Sequence, residues 1–173
     1  SKVRQSSRGS NQQGRRKRIK AHSLIDKIYY KLNLYNAWEK VKANRGAGGV
    51  DGKSIEWFEE NLEENIERLH QELKKDEYRP QPVKRVWIPK PNGDKRGLGI
   101  PTIRDRVVQQ AMLIRLEPVF EPTFVENSYG FRPGRSAHQA VEEISKMLRK
   151  GYWWIMEADI KGYFDNIPHE RLI

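Results

Sequence analysis

The residues best suited to chemistry are two carboxylates near the C-terminal end of the sequence, Glu157 and Asp159. They follow a run of aromatic and branched residues whose composition predicts a strand with little solvent exposure. A carboxylate at the end of a buried strand is costly to desolvate unless a cation or hydrogen bonds meet it. Such oxygen ligands suit Mg²⁺, which takes one or two carboxylates together with substrate phosphates. The alternative is that Asp159 caps a turn before a helix near Pro168.

The charge balance of the 173 residues favours a polyanionic partner. Lys and Arg outnumber Asp and Glu by 33 to 23, a net charge of +10, and nucleic acid is the commonest partner of such chains. No apolar run approaches the length of a spanning helix, and the N-terminus lacks the apolar core of a signal peptide. Cysteine is absent from the sequence, which excludes disulfides and thiolate zinc sites. We expect a cytoplasmic protein that handles nucleic acid, with no membrane partner.

The first 22 residues are predicted to form a basic arm. Apolar residues are nearly absent, so the segment cannot offset its ordering entropy by burial and should be disordered when free. When bound, it is expected to lie along phosphates. Its cations up to residue 20 are Lys2, Arg4, Arg8, Arg15, Arg16, Lys17, Arg18 and Lys20.

Helices are predicted on both sides of a glycine-rich loop, residues 45–52. The apolar spacing from Leu24 to Val41 is helical, with a break expected at Asn33 or Asn36. The loop does not follow a strand, so it fails as a phosphate-binding loop, and a flexible connector is the simplest interpretation. Beyond it, Ser54 should cap one long helix with an apolar stripe and a glutamate-rich opposite face.

A β-hairpin is predicted between Pro82 and Pro101, with its turn at Asn92-Gly93. We expect its cations to share one platform over phosphates, whereas the alternative is that edge lysines only block aggregation. These cations are Lys84, Arg85, Lys90, Lys95 and Arg96.

Two capping boxes predict the next two helices. The first pairs Thr102 with Asp105, and the second pairs Ser136 with Gln139. Arg132 and Arg135 precede the second helix, whose N-terminal dipole attracts anions, so a phosphate site is predicted there. The alternative is that these two arginines pair with Glu126 or Glu142.

Five segments, in order, resemble sequence blocks of group II intron reverse transcriptases. The similarity extends roughly from Leu34 to Ile173. The segments are the loop ending in Val50-Asp51-Gly52, PKPNG at 89–93, LGIPTIRDRVVQ at 98–109, SYGFRPGRSAH at 128–138 and DIKGYFDNI at 159–167. Enzymes of this family copy RNA into DNA and act as maturases in the splicing of their own intron.

The resemblance implies an active-site role for several residues of this sequence. Asp159 matches a catalytic, metal-binding aspartate, and the backbone carbonyl of Ile160 would join it on one of two Mg²⁺ ions. Phe164 matches the aromatic gate that excludes a 2′-hydroxyl, and Lys90 and Arg96 match residues that hold the triphosphate of a dNTP. The resemblance also implies that the loop from Arg45 to Gly52 is a lid over template RNA and DNA primer, with Arg45 and Gly46 as candidate contacts. The other residues predicted to bind RNA are Arg79, Arg85, Arg132 and Arg135.

The implied fold class is α+β: a mostly helical fingers subdomain with a β-hairpin, followed by the first strand of a right-hand polymerase palm. We expect an arm at 1–22, a helical extension with the lid loop at 23–77, fingers at 78–150 and the start of a palm at 151–173. Glycine replaces the family's usual proline at Gly48 and Gly97, which should loosen the backbone. No Asp-Asp pair occurs, so this chain alone is expected to be inactive and to need the remaining palm and thumb or a second copy.

Two other interpretations of the sequence remain open. One is a non-catalytic RNA-binding or maturase module that uses the arm and the hairpin on structured intron RNA. The other is a related reverse transcriptase of the retron, diversity-generating or CRISPR-associated kind. The glycine-rich block argues against retrons, which lack it.

The basic arm generates the first prediction. Deleting residues 1–20 should flatten the dependence of log affinity for RNA on log salt, because fewer counterions are released. The expected change is about 0.7 for each phosphate that the arm neutralises in the intact chain. Fluorescence anisotropy with a labelled single-stranded RNA at a series of salt concentrations measures the slope. An unchanged slope would show that the arm makes no phosphate contacts.

Overall fold

The computed structural model describes residues 24–91, 93–160, 162–163 and 166–172. Helices with one antiparallel two-stranded sheet make an α+β fold, as predicted. The predicted arm at 1–22 and Phe164 lie outside the described residues. The elements are α1 (Leu24–Tyr29), α2 (Lys31–Asn44), α3 (Ile55–Glu60), α4 (Leu62–Lys74), β1 (Lys84–Pro89), β2 (Lys95–Ile100), α5 (Ile103–Phe120), a 3₁₀ turn (Glu121–Thr123), α6 (Ala137–Arg149) and α7 (His169–Leu172).

The chain divides into two compact units, one ending at Pro122 and the other beginning at Thr123. The domain boundaries expected after residues 77 and 150 stay predictions. Helix α5 packs against α1, α2, α3 and α4 within the first unit. Among the described helices, none combines the length and the apolar character that crossing a membrane requires.

The first unit is built around a tryptophan. Trp38 is fully buried on α2, and its ring stacks on that of Phe58 from α3 with 4.8 Å between centroids. Ile66 from α4 and Val107 from α5 are also fully buried. Each such side chain stabilises the fold by about 1.5–3 kcal/mol relative to exposure. The core therefore joins helices on both sides of the glycine-rich loop.

The first helical break precedes both predicted points. The first break is at Tyr30, whose extended backbone separates α1 from α2, and not at Asn33 or Asn36. Asn33 lies buried inside α2, where its side-chain amide donates to the carbonyls of Ile28 and Ala111, both at 3.0 Å. Asn33 thus donates a hydrogen bond to a carbonyl of α1, that of Ile28, and does not itself interrupt the helix.

The long helix predicted after Ser54 is two helices. The Ser54 cap is confirmed, since its hydroxyl accepts a hydrogen bond from the Trp57 N–H. The backbone then leaves helical geometry at Asn61, whose side chain donates to the Trp57 carbonyl at 3.1 Å. A side chain that bonds the preceding turn competes with continuation of the helix.

A single buried carboxylate ties the ends of the hairpin to α5. Asp105 is 2% exposed. It accepts hydrogen bonds from the Tyr78 hydroxyl at 2.5 Å, the Gln81 N–H at 3.1 Å and the Thr102 hydroxyl at 2.7 Å. Its own N–H donates to the Thr102 hydroxyl, which confirms Thr102 as the N-cap. The reciprocal half of the predicted capping box differs, because the Asp105 carboxylate bonds the Thr102 hydroxyl instead of the Thr102 N–H. Tyr78 and Gln81 precede β1, whereas Thr102 follows β2, so one side chain anchors both strands.

The second unit contains α6, a helix on which no described residue is buried. The predicted capping box is confirmed: the Gln139 N–H donates to the Ser136 hydroxyl, and the Ser136 N–H donates to the Gln139 side chain. Gly151 ends the helix with a positive φ of 94°, a conformation that glycine adopts without strain. Residues 152–160, however, are exposed and form no strand.

The strand predicted for Tyr152 to Ile160 is therefore corrected. An extended segment becomes a strand only when a neighbour satisfies its N–H and C=O groups. Within the described residues, β1 and β2 pair only with each other, so this segment has no strand to join. The composition of this segment suits a strand, but a strand forms only where a second strand is available to hydrogen-bond with it.

The Asp105 anchor generates a stability prediction. Asp105→Ala should lower the free energy of unfolding by about 3 kcal/mol, because three donors lose their acceptor in a site of little solvent access. Tyr78→Phe removes one of these bonds and should cost about 1 kcal/mol. Urea unfolding followed by circular dichroism measures both. The exposed residue Glu64 on α4 provides the control variant Glu64→Ala, and a loss for Asp105→Ala no larger than that control would contradict the anchor.

Candidate nucleic-acid interface

The cations of the hairpin divide between its two faces, which corrects the predicted single platform. In the antiparallel register, Ile88 pairs with Arg96 and Trp87 pairs with Gly97. Paired residues share a face, and successive residues alternate between faces. One face thus holds Lys84, Val86, Ile88, Arg96, Leu98 and Ile100, whereas the other holds Arg85, Trp87, Pro89, Lys95, Gly97 and Gly99.

The two residues expected to bind a triphosphate are both exposed. Lys90 begins the turn, where its N–H donates to the Asp94 carbonyl at 2.6 Å and its carbonyl accepts from the Gly93 N–H at 3.0 Å. Gly93 has a φ of 88°, so the turn needs the conformational freedom of glycine. Arg96 is the second residue of β2 and lies on the face that also holds Ile88 and Leu98. Backbone hydrogen bonds thus close the turn, while the Lys90 and Arg96 side chains are exposed.

The glycine-rich loop is held against the start of α5. The Arg106 guanidinium donates to the carbonyls of Arg45, at 3.3 Å, and Ala47. Gly49 is buried, and a Cβ added there would lie 2.7 Å from the N and Cα atoms of Thr102. A Cβ at Gly48 would lie 2.4 Å from the Lys53 carbonyl oxygen. The loop is therefore packed too closely for side chains at Gly48 and Gly49. The interpretation as a flexible connector and the expected loosening of the backbone at Gly48 are both corrected.

Two candidate RNA contacts belong to this loop. Arg45 has a positive φ of 54° and an exposed side chain, and Gly46 has a φ of 109°. Few residues other than glycine tolerate the second value. The Arg45 carbonyl is held by Arg106 while its guanidinium is exposed, so the loop can present this cation from a fixed backbone.

Arg132 and Arg135 brace the loop before α6. Arg132 donates to the carbonyls of Val125 and Ser128, both at 2.9 Å. Arg135 pairs with the Glu126 carboxylate at 2.8 Å, and its hydrogen bond and positive charge lower the pKa of Glu126. The pairing with Glu126 is the alternative that the sequence left open. Whether either arginine also contacts phosphate stays a prediction.

Two further arginines are candidate RNA contacts: Arg79 precedes the hairpin and Arg85 lies in β1. Arg79 donates to the carbonyls of Asp76 and Tyr78 at 3.0 and 2.8 Å. Arg85 has its guanidinium carbon 5.8 Å from the centroid of the Trp87 ring. Both side chains are exposed. They therefore combine a local contact with access to a ligand.

The site around Asp159 holds only part of a metal-binding set. Asp159 and Ile160 are exposed, and the residues that the structure describes contain no group of three or more His, Asp or Glu side chains that could hold a metal ion. A carboxylate and a backbone carbonyl are the oxygen donors that Mg²⁺ prefers. The donor types fit, but the number is too small for two ions.

Sequence reasoning found Asp105 only as a helix cap and missed Arg106 and Trp87. The extra bonds of Asp105 reach back 24 and 27 residues, and those of Arg106 reach back 61 and 59. Spacing patterns describe one element at a time, so such contacts carry no local signal. The alternation of side chains along the two strands could have placed Trp87 and Arg96 on different faces of the hairpin, had it been applied to the cations.

The chain is similar to a known family and to several curated proteins. The family described as "Reverse transcriptase (RNA-dependent DNA polymerase)" matches residues 88–173. Group II intron-encoded protein LtrA of Lactococcus lactis is 44% identical over 160 residues, which cover 86% of this chain and 26% of that protein. Protein YkfC of Escherichia coli is 42% identical over 72% of this chain and 34% of its own length.

One further curated protein and one solved structure also match. An uncharacterized 91 kDa protein in the cob intron of Schizosaccharomyces pombe is 39% identical over 87% of this chain and 19% of its own length. Among solved structures, a chain of a Cas6-RT-Cas1–Cas2 complex matches with a TM-score of 0.48 and 25% identity, over 86% of this chain and 15% of that chain. The chain thus spans 26% of the length of LtrA, the first of these relatives.

The packing of the glycine-rich loop generates a third prediction. Gly49→Ala should lower the free energy of unfolding by about 1–3 kcal/mol, because its methyl group would overlap the backbone at Thr102 and force a shift. Gly130→Ala is the matched control, since no heavy atom lies within 4 Å of a Cβ built there. Thermal unfolding compares the two. Equal melting temperatures would show that the loop does not pack on α5.

Proposed function

We propose that this chain, which belongs to the reverse transcriptase family and is similar to group II intron-encoded proteins over most of its length, forms the template- and nucleotide-binding part of an RNA-directed DNA polymerase. The observation that supports this proposal best is the exposed, cationic hairpin, anchored at both ends by Asp105. Its strands contain four cations and no acidic residue. A fixed positive surface of this kind suits the phosphates of a nucleotide and of RNA.

The nucleotide would bind at the tip of the hairpin. Lys90 and Arg96 are exposed near the turn, and they would neutralise the triphosphate of an incoming dNTP as cations do in phosphoryl transfer generally. Phe164, outside the described residues, would pack under the sugar and exclude a 2′-hydroxyl. The turn is closed by backbone hydrogen bonds, so these cations would bind with little ordering cost in the backbone.

Asp159 and the Ile160 carbonyl would hold a divalent ion, which we propose is Mg²⁺. A pair of such ions, when bound, activates a nucleophile and stabilises a leaving oxygen in phosphoryl chemistry. The primer 3′-hydroxyl would be the nucleophile and pyrophosphate the leaving group. Asp159 supplies one carboxylate, so the residues that complete this site would have to come from further palm sequence or from a second copy.

The RNA partner would be the intron that encodes the protein. The names of LtrA and of the intron-encoded relatives support an intron RNA as template and as the target of maturase activity. The action would take place in a bacterial cytoplasm or inside an organelle. A purely RNA-binding module is the second candidate, and it is favoured by the exposed arginines, which need no metal to act.

The incomplete carboxylate set generates the fourth prediction. This chain alone should not extend a DNA primer on an RNA template with Mg²⁺, since two ions about 4 Å apart need more acidic ligands than Asp159 provides. A chimaera in which the matching 160 residues replace their counterpart in LtrA should extend the primer. Asp159→Asn in that chimaera should lower the rate by at least about 100-fold while leaving its affinity for RNA unchanged.

Two results would contradict parts of this proposal. Extension by the chain alone, abolished by Asp159→Asn, would show that the carboxylate set is complete without further sequence. A chimaera that binds RNA but whose activity is untouched by Asp159→Asn would remove Asp159 from the active site and favour the RNA-binding module.

A further inference from the structure

Trp87 is exposed on the side of the hairpin opposite Arg96. Its side chain is 57% exposed, although tryptophan is usually highly buried. Its pairing partner is Gly97, and a Cβ added to that glycine would lie 3.5 Å from the Cζ3 atom of the indole. The ring therefore lies beside bare backbone. A Cβ at Gly97 would make ordinary van der Waals contact with the indole.

The hairpin face that holds Trp87 has few side chains, because two of its positions are glycine. Gly97 and Gly99 contribute no side chains, so β2 adds only Lys95 to the face. The Val83 side chain lies 2.9 Å from a Cβ built at Gly99, which fills the far end. What stands out from the face is the indole, with the Arg85 guanidinium 5.8 Å from its centroid.

The charge of the face selects among possible occupants. Arg85 and Lys95 lie on it, and neither strand contains an acidic residue. A protein partner that buried Trp87 would also have to neutralise or desolvate these cations. Single-stranded nucleic acid meets both needs, because every base has a flat π-face for the indole and every linkage carries a phosphate for a cation.

We propose that Trp87 is a stacking platform for one base of single-stranded template RNA, with Arg85 contacting the adjoining phosphate. The platform lies on the face opposite Arg96, so the hairpin would bind the incoming nucleotide on one side and unpaired template on the other. A duplex does not suit the platform, since its bases are already stacked. This inference rests on the proposed function, whose template would pass along this face.

The test measures the affinity of the whole chain for two labelled oligomers of equal length by fluorescence anisotropy. One is single-stranded RNA, and the other is an abasic ribose-phosphate oligomer of equal charge. Trp87→Ala should weaken binding of the RNA about tenfold, as removal of one stacking partner does, and leave the abasic oligomer and the salt slope unchanged. Trp87→Phe keeps an aromatic face and should retain most of the affinity. Arg85→Ala should reduce the salt slope by about 0.7, the change expected for one phosphate contact on a single strand.

Trp153→Ala is the matched control, because Trp153 is 75% exposed but lies outside the hairpin. The proposal is overturned if Trp87→Ala weakens both oligomers equally, if it has no effect on RNA, or if Trp153→Ala produces the same base-dependent weakening. Destabilisation of the fold by Trp87→Ala with RNA affinity intact would also overturn it, since that result assigns the indole to protein packing. Failure of the wild-type chain to bind either oligomer would instead contradict the proposed function itself.

Discussion

The buried carboxylate of Asp105 is the interaction on which the candidate site depends. A two-stranded hairpin by itself is at best marginally stable in water, and β1 and β2 are largely exposed here. Asp105 lies in the first turn of α5, where the helix dipole favours a negative charge. From there its carboxylate accepts hydrogen bonds from Tyr78 and Gln81, which precede β1, and from Thr102, which follows β2. Burial, together with the hydrogen bond to Asp105, raises the pKa of Tyr78, which keeps this donor protonated.

The same turn of α5 also positions the glycine-rich loop. Arg106 follows Asp105 in the chain and holds two loop carbonyls, while Gly49 lies against Thr102. Two segments far apart in sequence are thus fixed by consecutive residues of one helix. A shift of that turn would move the hairpin and the loop together. The exposed cations of both, including Lys90, Arg96 and Arg45, consequently belong to two segments that are anchored to the same turn of α5.

The second unit has a different character, because much of its apolar surface is uncovered. Ile144 on α6 is 54% exposed, and Trp154 in the segment that follows is fully exposed. An apolar stripe on a helix and an extended apolar segment are both surfaces that gain free energy when something covers them. For a chain that spans 26% of a relative's length, further palm sequence is the proposed cover. Pairing of residues 152–160 with another strand would also align Asp159 with whatever carboxylates that strand brings.

The sequence by itself determined the family, the positive charge, the turn of the hairpin and the helix starts at Ser54, Thr102 and Ser136. These features depend on residue type and on spacings of a few positions, which a single segment contains. Only the tertiary structure decided that Asn33 joins helices instead of ending one, and that Asp105 and Arg106 hold distant segments. It also left Tyr152 to Ile160 without strand partners among the residues it describes. The reason is physical: caps and turns are satisfied by neighbours along the chain, whereas a buried polar group or a strand edge is satisfied by whatever the fold brings beside it.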